Sequence, residues 1–308
     1  MNNMILHKGQ AKRLLQLLPF YLFSFLLLGA LASCGDDDPD GEEIFPTAQV
    51  NRDDFDKWLV KNFSEPYNVE VKYKMEDIYS DMTHHLIPAD SAKSAKLMKL
   101  VKYLWFDAYD EVAGTQFVKE NTPRIIHLIG SPAYNTGQGT IVMGTAEGGY
   151  MVTLYMVNWL TDDVIGNIRT LNDYYLHTMH HEFTHILTQK KSYSENYQLI
   201  TEGAYVSNDW IYKTDHEAHQ AGFVTPYAMS EYNEDIAEMM ATYITDTPGQ
   251  WRAIIADAGT TGAALINQKL EILRSYMKES WGLDIDEMRD CIQRRVAERN
   301  SIDLEHLD

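Results

Sequence analysis

Apolar residues repeat along this chain with two different periods. Phe55, Trp58, Leu59 and Phe63 share one side of a helix predicted over 53–62, and Leu97, Leu100, Val101 and Leu104 mark another over 92–109. Around them the period shortens: 67–73 alternates, 124–129 is apolar and β-branched, and the runs 139–143 and 150–157 flank Glu147-Gly148-Gly149. These runs predict a small sheet. The helical period then returns, with Leu176, Met179, Phe183, Ile186 and Leu187 on one helix that Thr170, three residues before Asp173, is placed to cap and Lys190 and Lys191 to close. Asn233 is placed to cap a helix running to about Thr245, Thr247-Pro248-Gly249 breaks it, and helices over 262–278 and 285–298 complete a mainly helical C-terminal lobe. The predicted class is α+β, with a small mixed sheet beside the helix of 176–187.

One apolar run belongs to neither pattern. Leu14 to Leu31 follows a basic stretch with Lys8, Lys12 and Arg13, and no acidic residue precedes Asp36. Read alone, the run is nearly long enough to span a bilayer. It ends, however, in Leu31-Ala32-Ser33-Cys34, which resembles the lipobox of bacterial lipoproteins. That resemblance implies a signal peptide over 1–33, cleavage before Cys34 and acylation of its thiol. Each buried CH₂ of an acyl chain contributes about 0.8 kcal/mol, so several chains hold a domain firmly to a membrane. The acidic stretch from Gly35 to Glu43 reads as a solvated tether within 34–49, and it resembles the surface-export signals of Bacteroidetes lipoproteins. The expected location is therefore the outer membrane, with the domain over 50–308 exposed at the cell surface.

Removing 1–33 deletes three positive side chains and no negative ones, so the formal charge of −19 falls to −22. A nucleic-acid partner is excluded on that ground, because phosphate binding needs a basic face. With Cys34 acylated, Cys291 is the one thiol left and no intramolecular disulfide can form. Its amphipathic setting predicts a buried structural thiol. The fold must rest on its core and on whatever its polar clusters bind.

The helix of 176–187 carries His181-Glu182-Phe183-Thr184-His185, an HExxH motif. On a helix the two imidazoles lie one turn apart on one face, where both reach a single Zn²⁺, and Glu182 projects beside the metal where a carboxylate can take a proton from water. With 11 His in the chain a chance match is a real alternative. The apolar stripe and the closing lysines favour the metal, since His and Glu at the edge of a buried face need something to satisfy them. His177 and His180, on the same helix, read as flanking polar positions.

Two His do not hold a catalytic zinc, so a third ligand is needed. The residue six after His185 is Lys191, which removes the His-based elongated motif and points to a carboxylate, the gluzincin arrangement. Glu202, in Thr201-Glu202-Gly203-Ala204-Tyr205, resembles the segment that supplies the zinc Glu in some aminopeptidases. Glu234 is preferred. It stands four residues from Glu238, so on one helical face one carboxylate can ligate zinc while the other accepts the N–H of a ligand His. Two like charges on that face are otherwise unfavourable, and a dication resolves them.

The motif followed by Tyr227 and Glu234-Asp235-Ile236-Ala237-Glu238 resembles the catalytic layout of the anthrax lethal factor type of zincin. The resemblance implies a zincin-like fold with Tyr227 facing the metal, where a phenol donates to the developing oxyanion; Tyr232 has the wrong offset. A longer resemblance, carried by Phe55-Asp56-Lys57-Trp58, Pro66 to Tyr73, Gly144 to Gly149, His180 to Leu187 and Gly222 to Ala228, is to the Bacteroidetes lipoproteins called substrate import-associated zinc metallohydrolases. It implies a zinc metallopeptidase acting on a peptide or glycoprotein, found with SusC/SusD-type outer-membrane import systems. In such folds the sheet borders the cleft and its edge strand pairs with an extended substrate, and 151–157 is the expected edge. The rival function is an accessory lipoprotein that binds glycan or peptide without catalysis, its zinc structural or vestigial, with Trp105, Trp159 and Trp210 as stacking surfaces.

Overall fold

The computed structural model describes residues 52–80, 84–135, 140–142, 144–147 and 149–307. The expected signal peptide, Cys34 and the expected tether lie outside them. The first helix, α1 (Asp54–Leu59), starts at a reciprocal cap: Asp53 Oδ1 accepts the Asp56 N–H at 2.8 Å and Asp56 Oδ2 accepts the Asp53 N–H at 3.2 Å. A π-turn at Val60–Ser64 carries it on to Tyr67, and Asn68 ends it in the left-handed region, which Asn tolerates. Asp90 caps α2 (Ser91–Val101), which continues through a second π-turn at Lys102–Phe106 into α3 (Asp107–Ala113). The helix predicted over 92–109 is thus longer than its apolar pattern. Gly114, at φ 86°, turns the chain into α4 (Thr115–Asn121).

The sheet is mixed. Strands β1 (Glu70–Lys72), β2 (Ile125–Leu128) and β6 (Met151–Leu154) run parallel, and β5 (Gly144–Glu147) lies antiparallel on β6, in the order β1-β2-β6-β5. A separate ribbon pairs β3 (Ala133–Asn135) with β4 (Thr140–Val142). The expectation that 151–157 forms the edge is overturned. The turn around Gly149 folds β5 against one side of β6 while β2 takes the other, so β6 is internal and buried, and β1 and β5 are the two edges of this sheet among the described residues. The strand also stops at Leu154, since Met156 adopts φ 64° and leads into a 3₁₀ turn.

Two short helices, Asp162–Gly166 and Ile168–Leu171, precede the motif helix α5 (His177–Lys190), which is joined to them by a third π-turn at Asn172–Leu176. The cap is Asn167, whose Oδ1 accepts from the N–H groups of Arg169 and Thr170 at 3.1 and 3.4 Å, and not Thr170. Beyond α6 (Asp215–Gln220) comes α7 (Tyr232–Thr245), whose cap position is Glu231, without a side-chain cap; Asn233, expected to cap it, lies inside the first turn, and its Oδ1 accepts the Tyr193 hydroxyl. Thr247 not only follows the end of α7 but caps α8 (Pro248–Asp257), a helix the periodicity does not show. Then α9 (Gly259–Trp281) stops at Gly282, φ 68°, and α10 (Ile285–Glu298) is capped by Asp284.

Helices α5 and α7 pack side by side, with β5 against α5 and α10 against α7. Gly144 is required at that contact, since a Cβ there would collide with Thr178 Cγ2. The main core gathers Trp105, Phe106 and Tyr109 with Phe183, Met239 and Leu273, and Cys291 is buried and free at its margin. A fully buried ion pair, Lys269 Nζ to Asp235 Oδ2 at 2.6 Å, ties α9 to α7. Among the described residues no helix is long and apolar enough to cross a membrane.

Candidate metal centre

The packing of α5 on α7 brings two pairs of side chains together, each pair one helical turn apart. From α5 come His181 and His185, and from α7 come Glu234 and Glu238. His181 Nε2 lies 2.9 Å from Glu234 Oε2 and 3.0 Å from His185 Nε2, and His185 Nε2 lies 3.3 Å from Glu234 Oε2. Two imidazole nitrogens facing each other this closely cannot both carry protons, yet both aim at one carboxylate oxygen. The triangle is close to a face of a zinc tetrahedron, whose edges are roughly 3.3 Å for ligand bonds of about 2.0–2.1 Å. Among the described residues no further His, Cys, Asp or Glu atom joins these three. Two imidazoles and one carboxylate are a donor set that a zinc ion can take.

Glu238 stands behind His181. Its buried carboxylate accepts the His181 Nδ1–H through Oε1 at 2.8 Å and the Thr225 hydroxyl through Oε2 at 2.6 Å. The first bond keeps a proton on Nδ1, so that Nε2 is the nitrogen that faces His185 and Glu234 and is left to bind a metal once its own proton is lost. Oε1 also accepts from His177 Nε2 at 2.9 Å. His177 is thus part of the network and not merely a flanking polar residue. His177, His181 and Glu238 also lie close enough to share an ion, but with His181 Nε2 turned to the first group its Nδ1 keeps its proton, which suits this second group to orienting His181. His180 points the other way, into the core, where it meets the Tyr109 hydroxyl at 3.2 Å and burial pushes its pKa down to about 3.

Glu182 is nearly buried, and its charge reaches both His181 and Tyr227. The Tyr227 ring lies 5.9 Å from that of His181, braced edge-on by Trp210 at 5.0 Å, and its hydroxyl bonds to Glu234. Burial and the Glu234 charge raise its pKa, so the hydroxyl stays a donor. Glu202 sits on an exposed turn and joins neither group. Trp105 is fully buried, so it offers no stacking surface; Trp159 is exposed.

Burial alone would lower the His181 pKa, but Glu234 and Glu238 outweigh it and hold it up at about 10. Burial likewise opposes charge on Glu234, and His181 and His185 overcome it and bring its pKa to about 2. Glu238 is held well below the usual carboxylate range against its own burial, by His177 and His181. These shifts favour sharing a proton among the imidazoles and carboxylates, and a dication can take the place of that proton.

Sequence reasoning missed three contributors. His177 precedes His181 by the same four residues that separate His181 from His185, a signal that was there to be read. Thr225 and the Lys269–Asp235 pair carry no such signal, because they depend on how α7 meets the chain before it and α9.

The chain matches the model of the family described as "Putative zinc-binding metallo-peptidase" over residues 48–286. A crystal structure of a protein of the same description from Bacteroides caccae is similar to it with a TM-score of 0.72 and 46% identity, covering 83% of this chain and 96% of that one. No curated protein matches it. With three candidate ligands converging between two helices, and a family match over most of its length, the chain belongs to this zinc-binding metallo-peptidase family.

Proposed function

We propose that this chain is a zinc-dependent peptidase anchored at the outer surface of the outer membrane through acylated Cys34. The observation that carries the reading is the convergence of His181 Nε2, His185 Nε2 and Glu234 Oε2 with Glu182 beside them. Zinc bound by these three would polarise a carbonyl and bring the pKa of water toward 7. Glu182 takes the water proton on its carboxylate and returns it to the leaving amine. Tyr227 turns its hydroxyl from Glu234 to the carbonyl oxygen as negative charge develops there. Glu238 keeps the Nδ1 proton of His181 in place throughout. The edge strand β5, lying against α5, offers backbone groups to an extended peptide or glycoprotein substrate.

The lipobox at Leu31–Cys34 and the acidic tether support the surface location, and the resemblance to import-associated metallohydrolases supports work beside a SusC/SusD-type pore. The test compares wild type and Glu182→Gln for zinc content and for cleavage of a peptide library. Equal zinc with turnover lost in the variant is expected, and equal cleavage by both sinks the mechanism. Zinc loss in Glu202→Ala but not in Glu234→Ala would reassign the third ligand. Zinc held with no peptide turned over by wild type favours the rival, a non-catalytic binding lipoprotein.

A further inference from the structure

The segment 222–228 carries two residues of the metal centre: Thr225, whose hydroxyl donates to Glu238 Oε2 at 2.6 Å, and Tyr227, whose ring lies 5.9 Å from that of His181. Two side chains from neighbouring helices hold its carbonyls. Lys269 Nζ of α9 donates to Gly222 O at 3.0 Å, and Nε2 of the buried His219 of α6 faces Val224 O at 3.2 Å. The other His219 nitrogen, Nδ1, lies 2.6 Å from Asp257 Oδ2 at the end of α8. A carbonyl oxygen and an ionised carboxylate only accept, so each ring nitrogen must donate, and His219 stands here as an imidazolium. Turning the ring over would put carbon atoms at both acceptors. Asp257 is ionised to match: His216, whose Nδ1 lies 2.9 Å from its Oδ1, and His219 hold its carboxyl below the usual carboxylate range. The ring is also fixed from behind, since a Cβ on Gly262 of α9 would lie 2.2 Å from His219 O.

The two bonds of His219 do not respond alike to loss of a proton. The Nδ1–H faces a carboxylate, which holds it, and the Nε2–H faces a neutral carbonyl, so the Nε2 proton is the one that leaves. A bare Nε2 then turns its lone pair on the Val224 oxygen, and the bond becomes a repulsion. The remaining charged groups stand around the ring without bonding it: Asp215, His216 and Glu217 on α6, and Arg169, Asp173, His177 and Asp246 across the cavity that the ring borders. We infer that His219 is a positioning residue for the metal centre: as an imidazolium it ties Val224, and so seats Thr225 against Glu238 and Tyr227 beside His181, and as a neutral ring it releases them. The effect on turnover rests on the peptidase reading; the protonation of His219 and its effect on zinc do not.

Two substitutions separate the charge from the contact. In Asp257→Asn an amide N–H can donate to a bare Nδ1, so a neutral His219 keeps its Nε2–H on Val224 O at every pH. In His219→Asn the shorter side chain reaches Asp257 but not Val224. Two-bond ¹H–¹⁵N spectra of the zinc-loaded, histidine-labelled wild type should show hydrogen on both His219 nitrogens at low pH and its loss from Nε2 as pH rises, whereas Asp257→Asn keeps it there throughout. At a pH where wild-type His219 holds both protons, zinc affinity by chelator competition should fall about tenfold in His219→Asn and stay unchanged in Asp257→Asn. Relative to Asp257→Asn, wild type should lose about tenfold in kcat on a peptide, and little in KM, as the Nε2 proton leaves. A His219 that is neutral throughout, loss of the Nδ1 hydrogen before that on Nε2, or unchanged zinc affinity in His219→Asn overturns the inference. So does a constant ratio of kcat between wild type and Asp257→Asn, which decides the matter even if His219→Asn fails to fold. Spectra and zinc affinities as expected, in a protein that cuts no peptide, uphold the role of His219 and overturn the peptidase reading alone.

Discussion

Glu182 and Glu238 are both carboxylates within reach of His181, and their surroundings give them different work. Glu238 spends both oxygens on His177, His181 and Thr225. A Gln there would present an N–H to groups that themselves donate, so Glu238→Gln should loosen the His181 ring and weaken zinc about 10–100-fold, read by competition with a chromophoric chelator. Glu182→Gln should leave that zinc affinity unchanged while turnover of a peptide pool falls about 10²–10⁴-fold. If the two variants exchange these phenotypes, the roles are reversed. The sequence already held much of this centre, because a spacing of four on each of two helices makes His181–His185 and Glu234–Glu238 legible before any fold is known. What it could not hold is Thr225, whose contact with Glu238 exists only after the loop before α7 folds back on it.

At the scale of elements, the motif helix is positioned by contacts on two sides. On one side β5 lies close enough that Gly144 has no room for a side chain against Thr178. Gly144→Ala should cost about 1–3 kcal/mol in denaturant unfolding, and pairing it with Thr178→Ala should recover most of that loss. On the other side α7 is held to α9 by Asp235 and Lys269, with Lys269 also donating to Gly222 O at 3.0 Å and lying 3.8 Å from the Phe223 ring centre. Lys269→Met alone leaves a buried carboxylate without its counter-charge and should cost about 3–5 kcal/mol, whereas adding Asp235→Leu should recover only part of that loss, because Gly222 O and the Tyr205 hydroxyl then lack their partners. Loss of zinc in the double variant would show that Asp235 also places its neighbour Glu234. These joints explain where elements were and were not legible. Periodicity marked the helices at 177–190 and 232–245, yet it could not say that β6 takes partners on both sides, because an internal strand and an edge strand can share one short apolar run. It also passed over α8, whose start depends on Thr247 and Pro248 acting as a cap and first turn where the same residues read as a break.

For the whole molecule, metal, protons and stability are linked through the two helices that the site joins. In the metal-free protein His181 has its pKa raised from 6.5 to about 10, so its contribution to stability is complete below 6.5 and is lost as pH rises through 10. Glu234 has its pKa lowered from 4.5 to about 2, so its contribution is complete above 4.5 and is lost as pH falls through 2. The metal-free protein should therefore be most stable between those limits, from 4.5 to 6.5, and weaken as pH rises further. Zinc needs the Nε2 lone pair that the proton occupies in this state, so binding expels protons and strengthens as pH rises. At a free zinc concentration about a thousand times Kd, the ion should add about 4 kcal/mol to stability. Thermal midpoints measured with zinc and with a chelator should accordingly move apart as pH is raised from about 5 to about 8, the metal-free midpoint falling while the zinc-loaded one holds. A gap that stays constant across that range would mean that zinc binds without displacing the His181 proton, and the ligand set His181, His185 and Glu234 would then be wrong.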